Sequence, residues 1–242
     1  VLILYKQNNG NMIWDVYGYD RSSMIYVLAG IFIIVVIIIG GVKGIKSLVS
    51  LMFTLVTVIF LMLPLMFRGV EPMLAAVVSA TLSIIVTLSL VSGINKKTVT
   101  AIIGTISGVV ISGIIAYIFG ELTHSSGMTM NDTESLIYIA EGTNLKVKGI
   151  MFAGILIASL GAVMDVAMSI SSSLFEIYEV NKNIKQIDLF KSSMNIGKDI
   201  IGTMTNTLIL AFAGGSITTL ILIFAANMPY NKFINLEVLA IE

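Results

Sequence analysis

The chain has 242 residues, of which 57% are hydrophobic and only 12% are charged, and its mean hydropathy is +0.99. A water-soluble domain carries about 25% charged residues, so this composition excludes an ordinary soluble protein and favours a membrane protein. Fourteen basic and fourteen acidic residues balance, which leaves no basic excess for nucleic acid. With no cysteine and one histidine, the chain is expected to hold no metal and no cofactor.

The first residues differ from the rest of the chain. VLILYKQ is typical of a strand and is followed by a polar turn and YGYD, without the basic and apolar regions of a signal peptide. We expect residues 1–23 to be the end of an extracytoplasmic segment, and the chain to be cut from a longer protein at both ends.

Six later segments each have about the 20 mostly apolar residues that a spanning helix needs. They are 24–41, 48–67, 72–92, 99–119, 149–173 and 200–226. The sequence therefore predicts an all-α transmembrane helical bundle over residues 24–226, followed by a polar extracytoplasmic tail at 227–242.

The connections between these segments are unequal. Residues 41–47, 67–72 and 92–98 are predicted to be tight turns. The longer loop 120–148 is predicted to hold a short helix at 131–141, and the connector 174–199 an amphipathic helix on the membrane surface.

Basic residues in the connections predict the orientation. Three connections that share one side contain Lys43, Lys46, Lys96, Lys97, Lys182, Lys185, Lys191 and Lys198, whereas the other side contains Lys6, Arg21, Arg68, Lys146, Lys148 and Lys232. The first side is the better cytoplasmic candidate, which predicts a multi-pass plasma-membrane protein whose fragment begins outside.

Glycines mark two predicted helices. Gly104 and Gly108 form a GxxxG pair with Gly113 further on, which favours a helix-packing face over a substrate path. Gly214 and Gly215 interrupt the last predicted helix and indicate either a kink or close packing.

Small and polar residues form one stripe of the fifth predicted helix. The stripe consists of Gly154, Ala158, Gly161, Asp165, Ser169 and Ser172. On the sixth, Asp199, Thr203 and Asn206 recur at similar spacing. Since the two helices are antiparallel and Asp165 and Asn206 lie at matching depth, we expect the two side chains to meet, with Thr203 and Ser169 nearby.

Placing an aspartate inside a membrane costs free energy, and such residues usually have a functional role. Asp165 is interpreted as a proton or Na⁺ relay, as a polar clasp that fixes helix register, or as an acid wetted near the interface. The sequence has no nucleophile–base pair or phosphate loop. We therefore expect no enzyme and no catalytic residues.

GAVMDVAMSISSS (161–173) and SMNIGKDIIGTMTNTLILAFAGGS (193–216) resemble the YibE/F-like family of bacterial multi-pass membrane proteins. The resemblance extends from YDRS (19–22) to NLE (235–237), and it implies a membrane or efflux protein with further segments at both ends. Residues 154–179 are also similar to the acid-bearing helix of the SecD/RND group, which implies proton coupling at Asp165 only.

Two functions are expected. The first is an ion-coupled transporter or efflux protein for an unknown small substrate, with Asp165 as coupling acid and Asn206, Thr203, Ser169 and Asp199 as accessory candidates. The second is a non-transporting scaffold or accessory subunit. The expected partners are the lipid bilayer, a proton or Na⁺, and a second copy of the chain.

Overall fold

The computed structural model describes residues 2–8, 12–19, 21–122, 138–226 and Pro229. Two strands, β1 (Leu2–Asn8) and β2 (Met12–Tyr19), precede the helices. The helices are α1 (Ser22–Thr57), a π-helical segment (Val58–Met62), α2 (Leu63–Phe67), α3 (Pro72–Ser92), α4 (Lys96–Leu122), α5 (Ile150–Val180), α6 (Gln186–Gly215) and α7 (Ile217–Ala225). The chain forms two compact units, Val1–Val49 and Ser50–Glu242.

Four stretches of the described chain are long and apolar enough to cross a membrane. They are Ser22–Phe67, Pro72–Ser92, Lys96–Leu122 and Ile150–Val180. The first stretch contains two of the six predicted spans. The predicted all-α, membrane-spanning fold is therefore confirmed, with six as an approximate number of crossings. The predicted tail 227–242, apart from Pro229, and most of the predicted helix 131–141 lie outside the described residues, although 138–141 are helical.

The first unit begins with an antiparallel β-hairpin. Leu2 pairs with Tyr19 at one end of the two strands, and Asn8 pairs with Met12 at the other. The strand-like character predicted for the first residues is confirmed for the part that the structure describes.

A sharp kink follows in α1. Gly41 has φ 53° and ψ −135°, a backbone conformation that glycine adopts at little cost because it has no Cβ. Beyond it, Gly44 lies so close to the carbonyl group of Val36 that a Cβ on Gly44 would overlap it. The predicted turn 41–47 is thus a bend within helical structure and not a loop.

Pro64 explains the irregular end of the next helical stretch. Because proline lacks an N–H and its ring crowds the preceding turn, the regular hydrogen-bond ladder cannot continue through it. The chain widens into the π-helix Val58–Met62, where the N–H of Leu63 donates to the carbonyl of Val58 five residues earlier. The widening lets Met62 and Met66 both point into the core.

The core of the second unit lies where α3, α4 and α5 pack together. On α3, Ala75, Ala76 and Ala80 are completely buried, and on α5 Ala153 is as well. Small side chains let helix backbones approach closely, which is the main source of attraction between helices in lipid. These three helices form the core of the unit, and α6 packs against α5.

Asn95 organises the turn between α3 and α4. Its Oδ1 accepts hydrogen bonds from the backbone N–H and the Oγ1 of Thr98, each at 3.0 Å, and its Nδ2 donates to the carbonyl of Ser92 at 3.0 Å. Thr98 itself is completely buried. One side chain thus closes the end of α3 and caps the start of α4.

We expect Asn95→Ala to lower the free energy of unfolding by about 1–2 kcal/mol, because the amide N–H of Thr98 loses its partner. Thermal melting of the detergent-solubilised protein measures this change. Lys96→Ala, at the exposed neighbouring position, serves as the control. A loss for Asn95→Ala no larger than that for the control would contradict the capping role.

The glycines of α4 pack differently from the prediction. A Cβ on Gly104 or Gly108 would meet no described atom within 4 Å, so no described helix packs closely against the predicted GxxxG pair. The close contacts lie further along α4. A Cβ on Gly113 would lie 3.0 Å from Cγ2 of Val77, and one on Gly120 would lie 3.1 Å from Cε2 of Phe152.

This difference predicts opposite effects for one substitution at two sites. Gly113→Ala is expected to destabilise the protein by about 1–3 kcal/mol, because the buried methyl group overpacks the α3–α4 contact. Gly108→Ala is expected to stabilise it by up to about 1 kcal/mol, because alanine is the better helix former and has room. Parallel thermal melts compare the two variants, and equal shifts would contradict the assignment.

The helices after residue 174 have different boundaries from those predicted. The surface helix predicted within 174–199 is wrong, because α5 continues to Val180 and α6 runs without a break from Gln186 to Gly215. The predicted span 200–226 is divided between α6 and α7 at Ser216. A Cβ on Gly214 or Gly215 would meet no described atom within 4 Å, so among the described residues this glycine pair marks a helix boundary and makes no close helix contact.

Candidate functional site

A cavity of about 480 Å³ lies between α4, α5 and α6. Its walls are mostly apolar. The larger side chains that line it are Val163, Val166, Ile170 and Leu174 on α5, and Ile201, Met204 and Leu208 on α6. A cavity of this size is within the range of about 300–1,000 Å³ that small-molecule sites have.

The spacing of these residues explains how two helices form one wall. On α6, Ile201, Met204 and Leu208 recur at three and four residues, which places them on one face. Near the end of the cavity, a Cβ on Gly197 would lie 3.5 Å from Cδ1 of Ile170. The two helices are therefore close at Gly197 and leave space between them further along α6.

Two buried hydroxyl groups at the cavity already have partners within the protein. Oγ1 of Thr105 donates to the carbonyl of Ala101 at 2.7 Å, and Oγ of Ser171 donates to the carbonyl of Lys97 at 2.7 Å. The second bond joins α5 to the first turn of α4. Since these donors are satisfied within the protein, the cavity offers mainly an apolar surface to a ligand.

Asp165 lies at the middle of α5, fifteen residues from Ile150 and from Val180. Its side chain is exposed and does not line the cavity. At about 100° per residue, it lies on the opposite side of α5 from Val163 and Leu174, which line the cavity. Asp165 has no ion-pair partner among the described residues.

Most of the rest of the predicted stripe on α5 is also exposed, and only Ser172 is half-buried. Gly154, Ala158, Gly161 and Ser169 are all exposed, whereas Leu156, Leu160 and Met164 on another face are buried against α3 and α4. The small and polar residues therefore share one face, as predicted, but within the described chain no other helix covers that face.

The accessory candidates on α6 also point away from the cavity. Asp199, Thr203 and Asn206 are exposed. Oγ1 of Thr203 donates to the carbonyl of Ile200 at 2.9 Å, within its own helix. Asn206 follows Met204 by two residues, which turns it by about 200° away from the cavity wall.

The predicted meeting of Asp165 with Asn206 is therefore not found among the described residues. The depth of each residue along its helix was a sound basis for expecting the same level, but depth does not fix rotation about the helix axis. The helices contact each other through apolar and small residues, Ile170 and Gly197, which rotates both polar faces outward.

The apolar wall of the cavity was not predicted, although a sequence signal for it exists. Ile201, Met204 and Leu208 form an apolar i, i+3, i+7 series on the side of the sixth predicted helix opposite Asn206. In a spanning helix this signal is weak, because apolar residues also face lipid. Only the position of α4 beside the series shows that it lines a cavity.

Several apolar helices of spanning length and a cavity between them define an α-helical membrane protein. A sequence model of the YibE/F-like protein family matches residues 28–242, so the chain belongs to the YibE/F-like family. The match begins within α1 and includes every helix that lines the cavity. No curated protein and no solved structure matches the chain.

Proposed function

We propose that the protein is an ion-coupled transporter or efflux protein in which the cavity between α4, α5 and α6 receives the substrate and Asp165 is the coupling acid. The observation that carries the proposal is that α5 bears both features. One face of this helix lines the cavity between α4, α5 and α6, and another bears an acid without an ionic partner among the described residues.

The coupling follows from the free energy of a charged group in lipid. An ionised aspartate at the centre of a spanning helix costs about 2.5–3.5 kcal/mol, whereas the protonated acid costs less. Charging Asp165 favours a position of α5 in which water or a polar partner reaches the carboxylate. Because the opposite face of α5 forms a cavity wall, a rotation of the helix changes the cavity.

The proton is the favoured coupling ion over Na⁺. Transporters that bind Na⁺ coordinate it with carbonyl groups of unwound helix segments. α5 is helical throughout Ile150–Val180, so the carbonyl groups around Asp165 are used within the helix.

The apolar wall of the cavity favours a small, largely apolar substrate. The excess of lysine in one set of connections favours an orientation with the start of the chain outside.

A second function, that of a non-transporting scaffold or accessory subunit, is favoured by the uncovered face of α5. Gly154, Ala158 and Gly161 form a small-residue surface of the kind that packs against another helix. A second copy of the chain is one partner that fits this surface.

The two functions differ in a direct experiment. The purified protein is reconstituted into liposomes, a pH gradient is imposed, and the internal pH and the uptake of small hydrophobic fluorescent compounds are recorded. Proton flux coupled to uptake supports the transporter. A scaffold gives no flux above protein-free liposomes and instead crosslinks to its partner through cysteines introduced at Gly154 or Ala158.

A further inference from the structure

A second cavity, of about 280 Å³, lies at the end of the α3–α4–α5 bundle opposite Asn95. Four charged side chains of both signs surround it. They are Glu71 before α3, Glu121 near the end of α4, and Lys146 and Lys148 before α5. The cavity therefore lies at the boundary where the spanning helices emerge from the apolar layer.

Two of these charges neutralise each other. Nζ of Lys148 donates to Oε1 of Glu121 at 2.7 Å. This hydrogen bond is the largest cause that raises the pKa of Lys148, with Glu71 a weaker one. The ammonium group thus stays charged at neutral and mildly alkaline pH, and its contribution to stability is lost only as the pH rises through the raised pKa.

The other two charges have no such partner. Among the described residues, neither the carboxylate of Glu71 nor the ammonium group of Lys146 has an ion-pair partner. Glu71 is half-buried. The cavity therefore presents one unpaired negative and one unpaired positive charge, which complement the two charges of a zwitterion.

An apolar groove of about 300 Å³ continues from this cavity between α3 and α4. The two spaces share Glu71, Met73 and Tyr117. The groove extends along the helices to Val110, twelve residues before the end of α4, or about 18 Å at 1.5 Å per residue. Charged groups at the interface thus lead directly into an apolar channel at bilayer depth.

We propose that the cavity and the groove together bind a membrane phospholipid whose zwitterionic headgroup carries a primary ammonium group, of the phosphatidylethanolamine type. Lys146 pairs with the phosphate, Glu71 accepts from the ammonium group, and one acyl chain lies between α3 and α4. A lipid with only a negative headgroup leaves Glu71 without a partner. A soluble zwitterion leaves the apolar groove unfilled.

The test measures displacement of a phosphatidylethanolamine with a fluorescent acyl chain from the detergent-solubilised full chain. Unlabelled phosphatidylethanolamine is expected to compete, whereas phosphatidylglycerol and soluble O-phosphoethanolamine compete at least about tenfold less well. Glu71→Gln and Lys146→Gln are each expected to weaken binding about tenfold or more, because each removes a charge-assisted bond.

A matched pair of tryptophan variants tests the groove. Ile114 lines it, whereas the adjacent Ile115 does not, and both side chains are exposed. Ile114→Trp is expected to weaken binding about tenfold, and Ile115→Trp to leave it unchanged, with thermal melts confirming that both fold. Equal competition by phosphatidylglycerol or by O-phosphoethanolamine would overturn the proposal, as would wild-type binding by Glu71→Gln, Lys146→Gln and Ile114→Trp.

Discussion

Asp165→Asn is expected to abolish transport driven by a pH gradient while the protein remains folded. Asparagine keeps the size of the side chain but cannot take up and release a proton, so α5 loses the charge that couples its position to the gradient. The measurement is the internal pH and substrate uptake of liposomes that contain the variant. We expect the signal to fall to that of protein-free liposomes.

The stability of the same variant separates coupling from a structural role. Removing a charge that costs about 2.5–3.5 kcal/mol at the centre of a spanning helix is expected to leave the melting temperature unchanged or raise it. Glu179→Gln is the control, since it neutralises an exposed acid at the end of the same helix. Gradient-driven uptake by Asp165→Asn at the wild-type rate would refute the coupling role.

Leu208→Trp is expected to reduce substrate uptake at least about tenfold. Leu208 lines the cavity between α4, α5 and α6. An indole ring there occupies space that the substrate needs, and a loss of about 1.4 kcal/mol of binding free energy already gives a tenfold effect. Uptake at a fixed gradient over a range of substrate concentrations measures the change.

Leu210→Trp provides a matched control on the same helix. Leu210 is 62% exposed, and two residues along a helix turn it by about 200° away from Leu208. We expect this variant to transport at the wild-type rate. If Leu210→Trp and Leu208→Trp lower uptake equally, the cavity is not the substrate site.

The sequence alone determined that the chain is a helical membrane protein. Only 12% of its residues are charged, and its long apolar segments are stable in lipid as helices, which satisfy their own backbone hydrogen bonds. It also located Asp165 and its small-residue stripe, since helical periodicity alone places residues on a common face. The YibE/F-like resemblance was likewise contained in the sequence and is confirmed by the family match.

The extents of the helices were less predictable. A limit of about 20 apolar residues describes the part of a helix inside the bilayer, but hydrogen bonding continues beyond it until the backbone meets an obstacle. α6 therefore joins a charged segment to an apolar one and ends only at Gly215, and α1 bends at Gly41 instead of ending.

Only the tertiary structure decided which face of each helix meets its neighbour. In a spanning helix both faces are largely apolar, so hydrophobic periodicity does not separate the interior from lipid. On α4, the close helix contact lies at Gly113 and not at the GxxxG pair that begins at Gly104. On α6, the apolar side lines the cavity, whereas Asn206 does not. The physical reason is that close contact depends on the matching shapes of two surfaces, whereas a single sequence describes each surface separately.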